Sequence, residues 1–186
     1  MDIRTVGVVG CGQMGSGIVE VSARAGYITI TREVNQTFLD KGLKAIQSSL
    51  ERAVQKGKIS TEQRDETLAR VKGTTRLDDL AACDFVIEAI IENMEDKRAT
   101  FSALDKACPP HTILSSNTSA LSLIEMARST QRPDRFIGMH FFNPPTATKL
   151  LEVGKTILSS NASVEVGRKL GESMGRTVVV VHDAPG

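Results

Sequence analysis

Ile3-Arg4-Thr5-Val6-Gly7-Val8-Val9, followed by Gly10-Cys11-Gly12-Gln13-Met14-Gly15-Ser16-Gly17, is the stretch on which the fold turns. Ile3 to Val9 is apolar and β-branched and reads as a buried strand of a parallel sheet. Ile18 to Ala25 has helical character, with Gly26 as its stop. Tyr27 to Thr31 reads as a second strand, apolar at Ile28 and Ile30 and ending at Arg32-Glu33. The unit is strand, glycine turn, helix, strand. Each glycine has a physical role: Gly10 permits the tight turn, Gly12 lets backbone approach a pyrophosphate, and Gly15 lets the helix pack on the strand. The helix start then offers free N–H groups and partial positive charge to phosphates.

A lone Gly-x-Gly-x-x-Gly is weak evidence, but here Glu33 stands at the end of the second strand, 18 residues after Gly15. A carboxylate there accepts hydrogen bonds from the adenosine ribose hydroxyls and repels a 2′-phosphate, so NAD is the expected dinucleotide. Arg32 beside it keeps NADP as the alternative. The backbone of Gly10, Cys11, Gly12, Gln13, Met14 and Gly15 is the expected pyrophosphate cradle.

Outward from this unit, Leu39, Leu43, Ile46, Leu50 and Val54 recur at steps of four and three, a long amphipathic helix closed by Gly57. Ser60 caps a further helix running through Val71. Strands are expected at Asp84–Ala89, Thr112–Ser115, Phe136–His140 and Thr177–Val181. Lys149–Val153 could run back beside Phe136–His140. Helices are expected at about Glu95–Ala107, Leu121–Ala127 and Ala162–Met174. The alternation predicts one α/β domain over residues 1–186, Rossmann-type and doubly wound, with a mostly parallel sheet and helices on both faces. The chain ends at Asp183-Ala184-Pro185-Gly186, directly after a strand, where a further element is expected.

The chain has 186 residues, 23 Lys+Arg against 22 Asp+Glu and 40% hydrophobic residues, the balance of a soluble globular protein. A net charge of +1 supplies no global field for nucleic acid or an anionic membrane, so neither is an expected partner. No segment reads as a signal peptide or membrane span. Cys11, Cys83 and Cys108 form no Cys-x-x-Cys pair; they read as reduced thiols of a cytoplasmic protein, with no metal site expected.

Of the three histidines, His111, His140 and His182, only His140 ends a strand on the carboxyl side where open α/β sheets bind ligands. If Pro144-Pro145 turns the chain, Glu152 returns beside the imidazole, fixes its tautomer and stabilises imidazolium. The alternative is that Glu152 is a strand-edge charge. Ser115-Ser116-Asn117-Thr118-Ser119 sets hydroxyls at the same sheet edge, or merely caps a helix. Arg52 and Lys56 are like charges four apart on one helix face, unfavourable by roughly 0.2–0.5 kcal/mol unless an anion lies between them.

Six motifs in order then carry a resemblance: the glycine turn through Ile18, Arg32-Glu33-Val34, Glu92-Asn93-x-x-x-Lys97, Ser116-Asn117-Thr118-Ser119, His140-Phe141-Phe142-Asn143-Pro144 and Leu150-Leu151-Glu152-Val153. The chain resembles the NAD-binding domain of the L-3-hydroxyacyl-CoA dehydrogenases, most closely the bacterial branch acting on 3-hydroxybutyryl-CoA. The resemblance implies oxidation of a (S)-3-hydroxyacyl-CoA by NAD, with His140 as base and Glu152 as its orienting partner. It implies that Ser119 and Asn143 contact the substrate oxygen and the nicotinamide end, that Glu92 and Lys97 help bind NAD, and that Ser49 and Lys56 hold the acyl-CoA, which agrees with the Arg52–Lys56 pair and makes Arg52 a further substrate-binding candidate. Family members continue past Pro-Gly into a helical domain that closes the cleft and forms a homodimer interface. Without it, this chain is expected to bind NAD and to be poorly active alone. Two other classes stay open: an NAD-binding module without catalysis, and a dehydrogenase of a free hydroxy acid.

Overall fold

β1 (Thr5–Val9) is buried from Val6 onward, because it lies in the interior of the sheet with a neighbour on each side. The computed structural model describes residues 2–183; the expected break at Ala184-Pro185-Gly186 lies outside the described residues. Around β1 the chain builds α1 (Gln13–Arg24), β2 (Ile28–Arg32), α2 (Gln36–Gln55), α3 (Thr61–Arg70) and β3 (Val71–Thr74). It then builds β4 (Phe85–Glu88), α4 (Met94–Ala107), β5 (Ile113–Ser116), α5 (Leu123–Ala127), β6 (Phe136–Phe141), β7 (Leu150–Lys155), α6 (Asn161–Ser173) and β8 (Thr177–His182). The eight strands form one sheet in the order β3-β2-β1-β4-β5-β6-β7-β8.

The first six are mutually parallel; β7 pairs antiparallel with β6, and β8 runs parallel to β7. The doubly wound expectation therefore holds. Strand order reverses between β1 and β4, which opens a crevice at their carboxyl ends. Alternate side chains divide into two cores, as the period of a strand requires. Val6, Val8, Ile87, Met139 and Val153 pack under α1, α2 and α6, while Val9, Val86, Leu114 and Phe136 pack under α4 and α5.

Two expectations need correction, and one element was not expected. α1 begins at Gln13, not Ile18: Gly15 and Gly17 extend the helix because they permit close packing, against Gly10 and Pro145. The helix expected to run through Val71 stops at Arg70, and Val71 opens edge strand β3. That strand is four residues long, too short to show alternation, and its Gly73 lies beneath Leu39 and Leu43 of α2. Leu77–Ala82 forms a 3-10 turn that apolar spacing did not signal.

A Cβ on Gly15 would stand 1.9 Å from the Gly10 carbonyl oxygen, so turn and helix cannot both keep their places. Gly15→Ala is expected to cost about 3 kcal/mol or more, lowering Tm by roughly 6–12 °C. Thermal unfolding within about 2 °C of the parent would exclude this packing role.

Candidate active site

Gly10 leaves β1 at φ 94°, a conformation that suits glycine, and its N–H bonds the Arg32 carbonyl at 2.8 Å. A side chain there would strike the Ala89 carbonyl oxygen at 2.7 Å, so β1 and β4 approach this closely only with glycine between them. Gly12 caps α1 with no side-chain bond to the first turn, which leaves that turn's N–H groups without a side-chain cap. Glu33 curls over the turn: Oε1 accepts from the Cys11 N–H at 2.6 Å and Oε2 from the Val34 N–H at 3.0 Å. Cys11 contributes only backbone, since its buried side chain faces Gly42 of α2.

The crevice above these groups has a volume of about 930 Å³. Its walls include Gly10, Gly12, Gln13, Met14, Glu33, Glu92, Lys97, Ser119, His140 and Asn143, whereas Cys11, Gly15 and Glu152 of the expected residues do not line it. The residues fit a dinucleotide. A Cβ on Gly12 would meet no atom within 4 Å, so the backbone borders open space. Arg32, on the cleft wall, has its Nε buried without a partner.

Across the cleft, His140 and Glu152 are register partners on antiparallel β6 and β7, with side chains on one face. His140 Nδ1 lies 2.8 Å from Glu152 Oε2, which leaves Nε2 unengaged by this pair. The Phe142 ring packs beside the imidazole at 4.5 Å between centroids. Gln13 donates to the Asn143 Oδ1 at 3.5 Å and so links α1 to the loop that follows β6.

Glu92 and Lys97, expected at the cofactor, belong to a polar network at the floor of the cleft whose centre, Glu88, sequence reasoning missed. Glu88, at the end of β4, is 0% exposed and accepts from Lys97 Nζ at 2.6 Å, Ser116 Oγ at 2.6 Å and the Ile90 N–H at 2.7 Å. Lys97 is itself 1% exposed and reaches Glu92 at 3.3 Å. Glu92 in turn accepts from the Thr118 hydroxyl and from the Ser119 N–H. Burial alone would raise the Glu92 pKa, but the Thr118 hydroxyl, Lys97 and the Ser119 N–H outweigh it and hold the carboxyl below its usual range. The Asn117 side chain accepts from the Phe141 N–H at 2.9 Å and ties β5 to β6. The missed signal was a charged Glu88 ending an otherwise apolar strand, Phe85-Val86-Ile87.

Ser49, Arg52 and Lys56 lie on and just after the second half of α2, and none lines this cleft. Ser49 and Arg52 instead border the buried Glu20 of α1. No helix among the described residues is long and apolar enough to cross a membrane.

The family model for the 3-hydroxyacyl-CoA dehydrogenase NAD binding domain matches residues 5–184. A probable 3-hydroxybutyryl-CoA dehydrogenase of Bacillus subtilis is 42% identical over 186 residues, covering 100% of this chain and 65% of its own length. The 3-hydroxybutyryl-CoA dehydrogenase of Bradyrhizobium diazoefficiens is 38% identical over 98% of this chain and 62% of its own. The crystal structure of (S)-3-hydroxybutyryl-CoA dehydrogenase from Ralstonia eutropha superposes with a TM-score of 0.97 at 37% identity, covering 100% of this chain and 65% of that one. The chain thus spans slightly less than two thirds of these relatives.

Lys97→Met strands a sealed carboxylate and is expected to cost about 3–5 kcal/mol in urea unfolding. Removing both charges with Glu88→Gln/Lys97→Met should recover part of that loss, and a double variant no more stable than Lys97→Met would refute the pairing. Because the folded pKa of Glu92 is depressed, its contribution is present above its unfolded pKa and is lost as pH falls through the folded one. Glu92→Gln should flatten the acid limb of stability against pH in that window, and an unaltered limb would speak against the assignment.

Proposed function

The chain belongs to the 3-hydroxyacyl-CoA dehydrogenase family through its NAD-binding domain, and on that premise we propose that it supplies the cofactor-binding side of an enzyme interconverting (S)-3-hydroxyacyl-CoA and 3-oxoacyl-CoA. The favoured substrate is 3-hydroxybutyryl-CoA, the compound in the names of the relatives just described. The observation that carries the reading is the His140–Glu152 pair, 2.8 Å apart, with His140 on the wall of the glycine-turn cleft.

In this reading the Glu152 carboxylate accepts a hydrogen bond from Nδ1–H, so the lone pair of the neutral imidazole lies on Nε2. Nε2 takes the proton of the substrate C3 hydroxyl, and the adjacent carboxylate stabilises the imidazolium that forms. NAD, when bound, would supply the acceptor for the hydride of C3. Ser119 and Asn143 hold the oxygen as it becomes a carbonyl. In the opposite direction the imidazolium returns its proton as a general acid. Gly10, Gly12, Gln13, Met14 and Gly15 would hold the pyrophosphate of NAD, and Glu33 its adenosine ribose. Lys97 keeps Glu92, and through it Ser119, in place.

The same proposal places the protein in the cytoplasm, where Cys11, Cys83 and Cys108, all free and buried, suit a reducing compartment. It takes the whole protein to be homodimeric, as the family resemblance implies.

The test is NADH formation by the whole protein with (S)-3-hydroxybutyryl-CoA and, separately, with free 3-hydroxybutyrate. Turnover is expected with the thioester only; preference for the free acid would reject the substrate assignment. His140→Ala is expected to lower kcat by about 10²–10⁴-fold while NAD affinity stays unchanged. Full activity in that variant would remove His140 from the chemistry.

A further inference from the structure

Where β2 ends, three large apolar side chains on the cleft wall stand open to solvent: Val34 is 61% exposed, Phe38 53% and Ile91 70%. Exposed apolar area inside a pocket is what a flat heterocycle covers. Glu33, the residue expected at the adenosine ribose, lines the same stretch. Together they mark the adenosine end of the cleft.

Arg32 belongs to this wall as well. It is the register partner of Val9 in β1 and of Thr74 in β3, so its stem lies on the face of the sheet that packs under α4. Its Nε is buried with no partner, and no ion pair among the described residues includes its guanidinium. The acids nearby in the fold are engaged elsewhere or face water. Glu33 turns one oxygen to the Cys11 N–H and the other to the Val34 N–H. Asp79 takes the Thr74 hydroxyl and lies 3.8 Å from Arg76, and Glu92 lies 3.3 Å from Lys97. Asp96, on the cleft wall in the first turn of α4, is exposed.

If Arg32 served only to cover the apolar face, its stem alone would be needed and Lys or Met would do as well. An open fork of donors beside a ribose site suits a phosphate dianion, which Arg takes through two parallel N–H···O bonds. What opposes a phosphate there is the carboxylate of Glu33, the next residue in the chain. Like charges at such range repel strongly where the site is partly closed to water.

We propose that Arg32 is a latent ligand for the 2′-phosphate of NADP, held out of use by Glu33, so that the preference for NAD rests on that one carboxylate. The inference rests on the dinucleotide reading of the cleft and adds to it the residue that a change of cofactor would recruit.

The experiment is calorimetric titration of the whole protein with NAD, NADP, adenosine 2′-monophosphate and adenosine 5′-monophosphate, with thermal unfolding as the check on folding. Glu33→Ser removes charge and bulk; Glu33→Gln removes the charge and keeps an acceptor for the Cys11 N–H. Each should raise affinity for NADP and the 2′-monophosphate roughly tenfold to hundredfold relative to NAD and the 5′-monophosphate. Adding Arg32→Gln to either should abolish the gain, and Arg32→Lys should keep only part of it, because the bidentate fork is lost. Arg32→Gln alone should weaken NADP more than NAD. A gain that survives Arg32→Gln overturns the assignment of Arg32, and folded Glu33 variants without a gain overturn the barrier. An unchanged NADP-to-NAD ratio in Arg32→Gln alone overturns the proposal whatever the Glu33 variants do. Failure of the parent protein to bind NAD is the separate failure of the dinucleotide reading.

Discussion

A carboxylate sealed from water holds the floor of the cleft. Glu88 gathers an ammonium, a hydroxyl and a backbone N–H around its two oxygens at the carboxyl ends of β4 and β5. Desolvating a charge this far costs several kcal/mol unless its lone pairs are answered, and here three donors answer them. The pairing brings α4 down onto the sheet through Lys97, and Lys97 in turn steadies Glu92. Glu92 then fixes the backbone of Ser119 at the cleft wall. A network of this kind is favourable only when each member is satisfied, so the geometry of the upper cleft depends on a residue that does not line it.

The second constraint is the reversal of strand direction at β7. Six parallel strands place their carboxyl ends along one edge, where the glycine turn, Glu88 and His140 lie. An antiparallel seventh strand returns to that edge and sets Glu152 directly opposite His140. A register shift by one residue would turn Glu152 to the other face and break the pair. Gly138 and Gly154 face each other lower in the same ladder, where Leu123 of α5 leaves room for no side chain. The packing of α5 and the register of the His–Glu pair are therefore consistent demands on one strand pair.

Local spacing made much of this legible. Three glycines between an apolar strand and a helix, and an acid at the end of the next strand, are short-range features, and the structure keeps them together at one cleft. The edge strand β3 was not legible, because four residues carry no periodicity and its place is set by pairing with β2. The onset of α1 was misread for a related reason: glycine disfavours a helix locally, yet Gly15 and Gly17 are in one because only glycine fits against Gly10 and Pro145.

By itself, then, the sequence determined the strand–turn–helix unit, the alternation that makes a doubly wound sheet, and His140 and Glu152 as candidates twelve residues apart. The fold alone decided that Glu88 and Lys97 would share a buried site and that Ser116 would join them from 28 residues away. The reason is the range of the interactions. Backbone conformation and amphipathicity are written in neighbours along the chain, whereas the pairing of charges follows from strand order and helix packing, which bring distant residues together.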